Sequence, residues 1–336
     1  MNGSNHSAVT SARPVARVAF YLVSILLFPL TLLGYIVYVV YLFVAGRRTP
    51  GVSITAQGPL SARWVAHHLG VREDEAANRL MDAMPGSPPF GLYLAGGPTL
   101  LAHRLTGYVP KAFRYPFEGE VPAPYEASAR QTFFDRVLEQ HRADVTQFVI
   151  LGAGFDTRAY RLPPESQGRW FEVDTPQTQA VKRRLLDKTG IRTTGVTFVA
   201  ADFEAEDWLE KLVEAGFDRS KPALFLLEGV IMYLDREAAE DTLCTIGRTA
   251  SGSMVAFDYF TTEPLTSRSF YWRYGRAGTR AAGEPLKFGI DSTPPSKERL
   301  TEFLHACGLS LQDQRTLGKE GDGKRSWGGF ATAAVD

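Results

Sequence analysis

The stretch "QFVILGAGFDTRAYRL", residues 147–162, passes from apolar residues into Gly152 and Gly154, where the missing side chains let the main chain come close to a ligand. A dinucleotide fingerprint would continue to a third glycine. Here Asp156, Thr157 and Arg158 follow instead, side chains that obstruct a pyrophosphate and suit an amino acid carrying a positive centre. About twenty residues on, Asp174 closes "RWFEVD", where a carboxylate accepts hydrogen bonds from both hydroxyls of a ribose. "AADF" then supplies Asp202 as an acceptor for an adenine amino group and Phe203 as a ring to cover it. Each acid taken singly also serves as a cap for the helix after it. Three in series point to one ligand, and S-adenosylmethionine (SAM) fits the loop better than NAD.

The elements that must position these residues are strands and helices in alternation. From about residue 126, apolar runs at "QFVILG", "RWFEVD", "VTFVAAD", "ALFLLEG" and "SMVAFDY" are separated by helical patterns such as "TPQTQAVKRRLLDKTG" and "REAAEDTLCTIGRTA". That pattern predicts five parallel strands with helices on both faces. "LSLQDQRTL" and "SWGGFATAAV" predict a closing antiparallel pair, making seven strands. In such a sheet the ligand lies outside the carboxyl ends of the strands.

The ordered motifs "TAQGPLSAR" (55–63), "SARQTFFD" (128–135), "GAGFDTRAYRL" (152–162), "FEVDTP" (171–176), "ADF" (201–203) and "LLEGVIMYL" (226–234) resemble the leucine carboxyl methyltransferase family, in particular its bacterial branch of SAM-dependent methyltransferases. The resemblance covers residues 52–336. It implies that Arg130 binds the methionine carboxylate, Gly152 lines the methionine moiety, Asp174 holds the ribose, Asp202 and Phe203 hold the adenine, Glu228 contacts the methionine amino group and Tyr233 faces the acceptor. Methyl transfer from a sulfonium needs alignment and exclusion of water more than covalent catalysis. A carboxylate acceptor needs no general base, whereas a hydroxyl needs one; His67, His68, His103 and His305 are the candidates, against the simpler reading of each as a surface or packing histidine.

Composition bounds the partners. The 37 basic and 37 acidic residues cancel, which speaks against a nucleic-acid partner. Cys244 and Cys307 lack CxxC or histidine neighbours and read as reduced packing residues, with no metal site. From Val18 to Gly46 there is no charged residue, which reads as membrane-embedded. As one helix this span would be ~44 Å long against a hydrocarbon core of ~30 Å, so a tilted single helix is expected over a hairpin broken near Phe28, Pro29 and Gly34. Arg47 and Arg48 follow it, and a SAM-using domain places them on the cytoplasmic side.

Residues 47–125 read as a helical cap and membrane-facing region. Helices are expected over "PLSARWVAHHLG" and "EDEAANRLMDAM", with Pro85 and Gly86 as the stop. "PPFGLYLAGGPTLLAHRLTGYVP" (88–110) is too broken to cross a bilayer but suited to lie against one. The excursion at about 260–295 contains "SRSFYWRYGRAGTR", where Arg268, Tyr271 and Arg273 form either a lid over an acidic, partly apolar acceptor or a basic face toward anionic headgroups. The sequence thus predicts a tail (1–17), a membrane helix (18–46), the cap (47–125) and a class I, Rossmann-like α/β methyltransferase domain (126–336). The expected activity is O-methyl transfer to a carboxylate or hydroxyl of a lipophilic small molecule, with Tyr233 and Glu228 as catalytic candidates. The alternatives are a noncatalytic SAM-binding membrane scaffold and an NAD-dependent oxidoreductase.

Overall fold

The computed structural model describes residues 14–48, 52–84, 89–161 and 168–336. Helices α1 (Pro14–Leu26), α2 (Phe28–Arg48), α3 (Gln57–His68), α4 (Glu75–Ala83), α5 (Pro89–Thr106) and α6 (Glu126–His141) lead into the alternating region. There β1 (Gln147–Leu151), α7 (Arg158–Arg161), β2 (Arg169–Asp174), α8 (Pro176–Thr189), β3 (Val196–Ala200), α9 (Trp208–Glu214), β4 (Ala223–Leu227), α10 (Arg236–Gly247) and β5 (Met254–Phe260) follow. The excursion holds α11 (Thr262–Thr266) and α12 (Phe270–Ala281), and α13 (Ser296–His305) then leads into β6 (Leu309–Leu317) and β7 (Gly328–Val335).

The seven strands form one sheet in the order β3-β2-β1-β4-β5-β7-β6. The first five are parallel, and β7 pairs antiparallel with both β5 and β6, as the sequence pattern predicts. Alternation of side chains along each strand divides the core in two. Val149, Leu151, Phe171, Val173, Phe225 and Leu227 pack on one face with α9 and α10. Phe148, Ile150, Trp170, Leu224 and Leu226 pack on the other against Phe133, Phe134 and Leu138 of α6. Each such burial contributes roughly 1.5–3 kcal/mol, which holds the strand ends still enough to carry a site. Side-chain caps set helix starts: Asp74 accepts the Ala77 N–H and Asp235 that of Ala238, at 3.0 and 2.9 Å.

Four expectations are corrected. The apolar segment is two helices rather than one tilted helix, bent by 61° at Leu27. Pro29 lies in the first turn of α2, where its missing N–H costs nothing, and it prevents α1 from continuing. No single described helix is long and apolar enough to cross a membrane, while the bent pair meets the length and composition together. The helix also begins at Pro14, inside the expected tail; residues 1–13, Pro85 and Gly86 lie outside the described residues, as do the side chains of Arg47 and Arg48.

The stretch at 88–110 is less broken than expected: α5 runs through Pro98 as one helix and packs on α2, where a Cβ added at Gly34 would stand 2.3 Å from the Ala95 main-chain nitrogen. Cys244 and Cys307 are joined in a disulfide. Their pairing is tertiary, produced by α10 meeting the turn after α13, so their isolation in sequence concealed it.

Candidate active site

In the order β2-β1-β4-β5 the chain leaves β1 toward β2 and leaves its neighbour β4 toward β5, in opposite directions, opening a crevice at the carboxyl ends. A cavity lies there. It is lined by Gly152 and Gly154 after β1, Asp174 at the end of β2, Phe203 after β3, Glu228 and Tyr233 after β4, and Arg130 from α6. Gly152 has φ of +64°, and a Cβ there would approach Val230 Cγ2 to 2.5 Å, so both conformation and space require glycine.

Asp174 is fixed by its neighbours. Oδ2 accepts the Gly154 N–H at 2.5 Å and Oδ1 the Thr175 N–H at 2.7 Å, leaving remaining lone pairs toward the cavity. Burial pushes its carboxyl above the usual aspartate range, although these N–H donors oppose the shift.

Glu228 stands at the edge of a buried ionic network. Its Oε2 accepts from Arg63 Nη2 at 2.8 Å and Arg158 Nη1 at 2.5 Å. Burial works against the ionised form, but the guanidiniums of Arg158 and Arg63 outweigh it and hold the carboxyl below its ordinary range. Its Oε1 is buried and has no hydrogen-bond partner. That orphaned acceptor, in a residue lining the cavity, fits an ammonium group.

Asp156 is turned away from the cavity. Its carboxylate pairs with Arg63 at 3.0 Å and with Arg158, and Oδ1 accepts the Arg158 N–H at 2.7 Å. Thr157 and Arg158 face inward too: Thr157 donates to Asp74 at 2.8 Å, and Arg158 Nε reaches Asp135 at 2.9 Å. Arg72 completes the network against Asp135 and Asp74 at 2.7 and 2.5 Å. The DTR triplet therefore supports the loop from behind instead of meeting the ligand, because three arginines from α3, α7 and the α3–α4 turn converge beneath it.

Arg130 enters from α6 with Nη2 at 2.5 Å from Glu126 and 2.9 Å from Asp258. Burial disfavours its charge, yet these carboxylates raise its pKa, and Asp258 also accepts the Gly229 N–H at 2.6 Å. The guanidinium is thus anchored from one side with its other edge at the cavity. Tyr233 is half-buried; burial pushes its phenol up to about 12, with the Thr55 hydroxyl as a hydrogen-bonding neighbour.

Asp202 and Phe203 separate. Phe203 lines the cavity, whereas Asp202 Oδ1 accepts the Glu204 N–H at 2.9 Å and shapes the turn outside the cavity lining. On the excursion, Arg268, Tyr271 and Arg273 are exposed and do not line this cavity. None of His67, His68, His103 or His305 lines it either. His68 and His103 instead meet the carbonyls of Trp64 and Tyr108. Among the described residues no group of three or more His, Cys, Asp or Glu is arranged for a metal ion.

Sequence reasoning missed a wall of the cavity formed by Ser53, Thr55 and Ala56, together with Thr178 and Glu284. Ser53 N–H donates to Thr178 Oγ1 at 3.1 Å, and Glu284 accepts the N–H groups of Ile54 and Thr55. "TAQGPLSAR" marked this strap's place without revealing its partners. Nothing in the sequence singled out Glu284.

The sequence profile described as leucine carboxyl methyltransferase matches residues 118–247. A "putative S-adenosyl-L-methionine-dependent methyltransferase" of Saccharopolyspora erythraea is 33% identical over 218 residues, 62% of this chain and 67% of that protein. A protein of the same description from Parafrankia sp. is 39% identical over 142 residues, 41% of this chain and 45% of the relative. The chain thus spans about half the length of several such relatives, 45%, 53% and 44% for three of them. A crystal structure of a "putative methyltransferase" from Thermobifida fusca has a TM-score of 0.47 at 17% identity, covering 77% of this chain and 94% of that one.

Proposed function

The chain belongs to the leucine carboxyl methyltransferase family, and from that membership and the cavity's donor set we propose that it is a membrane-held SAM-dependent methyltransferase acting on an oxygen of a lipophilic small molecule. The observation that carries the proposal is the buried, unpartnered Oε1 of Glu228 in the same cavity as Asp174 and Arg130. One ligand needs an ammonium acceptor, a diol acceptor and a carboxylate donor at those separate walls, with an aromatic face beside them.

In this reading Glu228 takes the amino group, the free edge of Arg130 the carboxylate, Asp174 the ribose hydroxyls and Phe203 the adenine. When bound, SAM supplies a methyl group already activated on a sulfonium for in-line displacement. The protein's part is alignment and dryness. The strap over residues 53–56 closes one wall, and the Glu228 carboxylate, ionised by its two arginines, favours a positive charge nearby. Tyr233 keeps its proton, so it donates a hydrogen bond to the acceptor and does not act as base. With no histidine lining the cavity among the described residues, the residues suit an acceptor that is nucleophilic without deprotonation, a carboxylate ahead of a hydroxyl.

The bent pair α1–α2 holds the domain at the membrane on the cytosolic side, where SAM is made. Incubating the purified full chain with methyl-labelled SAM and a membrane lipid extract, then identifying the labelled product, tests the reading. A methyl ester of a lipophilic acid is expected. SAM binding without transfer to any component would leave a noncatalytic SAM-binding protein, and absence of SAM binding would overturn the assignment.

A further inference from the structure

The large apolar side chains that stand exposed among the described residues are confined to α1, α2, α5 and α12. None of these four helices contains Asp or Glu, while Arg17, Arg104, Arg273 and Arg280 lie on them and are exposed. Helix α12 is distant in sequence from the other three, yet Tyr274 lies beside Tyr35 of α2, so the apolar surface is continuous.

The mounting of α12 explains why its aromatic face stays outward. Trp272 packs inward against Phe260 and Trp327, with ring centroids 6.0 and 5.5 Å apart, and Arg276 donates to the carbonyls of Pro264 and Ser267 at 2.6 and 2.8 Å. Phe270 and Tyr274, one turn apart, stack on the opposite side and are 83% and 61% exposed. Three aromatics held in water by a firmly attached helix cost free energy unless something apolar covers them. An amphipathic helix with aromatics on one side and arginines at the edge matches the boundary between headgroups and acyl chains.

We infer that α12 is a second bilayer contact, lying in the interface of the same leaflet that receives α1–α2, with Phe270, Tyr271 and Tyr274 among the acyl chains and Arg268, Arg273 and Arg280 on anionic headgroups. This rests on the proposed membrane attachment and extends it to the rim of the cavity. Tyr271 lies near Glu126, the partner of Arg130, and the chain leaving α12 reaches Glu284, which holds the strap over the cavity. A leaflet docked on α12 therefore borders the site, and an acceptor dissolved in it enters sideways without its apolar part crossing water.

The test places a nitroxide on Phe270→Cys in the full chain, keeping the Cys244–Cys307 bond, with Ser220→Cys at the amino end of β4 as the reference. On vesicles of phosphatidylcholine with phosphatidylglycerol, the label at 270 is expected to become accessible to oxygen and protected from a water-soluble nickel chelate, while the label at 220 stays aqueous. Vesicle affinity should fall about fivefold for each of Arg268, Arg273 and Arg280 changed to Ala. If the unlabelled protein does not float with vesicles, the attachment and this inference fall together. If it floats while the label at 270 remains aqueous, the inference alone falls. Mutual broadening of labels at 270 without vesicles would mean that a second copy covers the face, and would also overturn it.

Discussion

One carboxylate oxygen of Glu284 accepts the main-chain N–H groups of Thr55 and Ile54, at 2.8 and 3.1 Å, joining segments 229 residues apart across the mouth of the cavity. Both donors belong to the strap that packs over the glycine loop, and Ala56 Cβ lies only 2.9 Å from where a Cβ at Gly154 would stand. The excursion thereby holds a wall of the proposed donor site. Glu284→Ala should weaken SAM binding about five- to thirtyfold, equivalent to about 1–2 kcal/mol for two charge-assisted bonds at a partly exposed position. Glu284→Gln keeps one acceptor and should lose less. Calorimetric titration of both variants checks the order, and equal affinities in all three proteins would remove Glu284 from the closure.

Asp174→Ala should cost more than ~1.5 kcal/mol of SAM affinity if, as proposed, its carboxylate takes the two ribose hydroxyls. Its pH dependence has a defined sign. Burial raises this carboxyl, so protonation begins at higher pH than for an ordinary aspartate. The protonated form accepts hydrogen bonds poorly. SAM affinity should therefore decline on acidification from above the usual aspartate range, and this limb should be missing from the weaker binding of the alanine variant.

Glu228 and Asp156 have the opposite sign. Burial opposes their ionised forms, but the arginines around them win, and both carboxyls lie below their ordinary values. Their contribution to stability is complete above the unfolded carboxylate range and is lost as pH falls through the lower folded values. Glu228→Gln leaves Arg63 and Arg158 with one buried partner fewer and should destabilise the fold by about 3–5 kcal/mol. Thermal unfolding at neutral and acid pH tests this, and the difference between variant and parent should narrow as the medium becomes acidic. A constant difference across pH would show that the charge of Glu228 is not what stabilises the network.

Tyr233→Phe should lower turnover while leaving SAM affinity unchanged, if the phenol meets the acceptor as proposed. With its pKa pushed up to about 12, the phenol holds its proton throughout the working range. The pH profile of the slower variant should therefore keep the parent's shape. A basic limb that disappears with the hydroxyl would reassign Tyr233 as a base.

The five parallel strands and the residues beyond β1, β2 and β3 were legible because parallel strands in a covered sheet leave apolar runs, and the acids beyond them stand out by contrast. Gly152, Asp174 and Phe203 come together for that reason. Asp156 misled because a charge in a glycine loop looks the same in sequence whether it faces ligand or core, and Arg63, its partner, comes from a helix 93 residues earlier. Glu284 and the Cys244–Cys307 bond were illegible for the same cause: each depends on a tertiary meeting that local pattern does not encode. The break at Leu27 was half legible, since Pro29 marked it while the uncharged composition on both sides argued for continuity.

The meeting of α2 and α5 supplies the last prediction. A Cβ at Gly34 would lie 2.3 Å from the Ala95 nitrogen and 2.4 Å from the Leu94 carbonyl carbon, main-chain atoms that cannot swing aside. Gly34→Leu must therefore push α2 off α5, disturbing the hydrogen bond that Tyr38 makes with Ser61 of α3 at 2.6 Å. The expected loss is about 1–3 kcal/mol or more, the range for overpacking a tight contact. Gly97→Ala, on α5 but facing open space, should instead be neutral or stabilising by up to about 1 kcal/mol through helix propensity. The cavity walls come from the strap, the strand ends and the excursion, so SAM affinity should be unchanged in both variants. Unfolding midpoints in detergent micelles, paired with calorimetry, separate these outcomes. A loss of SAM binding in folded Gly34→Leu protein would show that the helix pair shapes the donor site as well as its location.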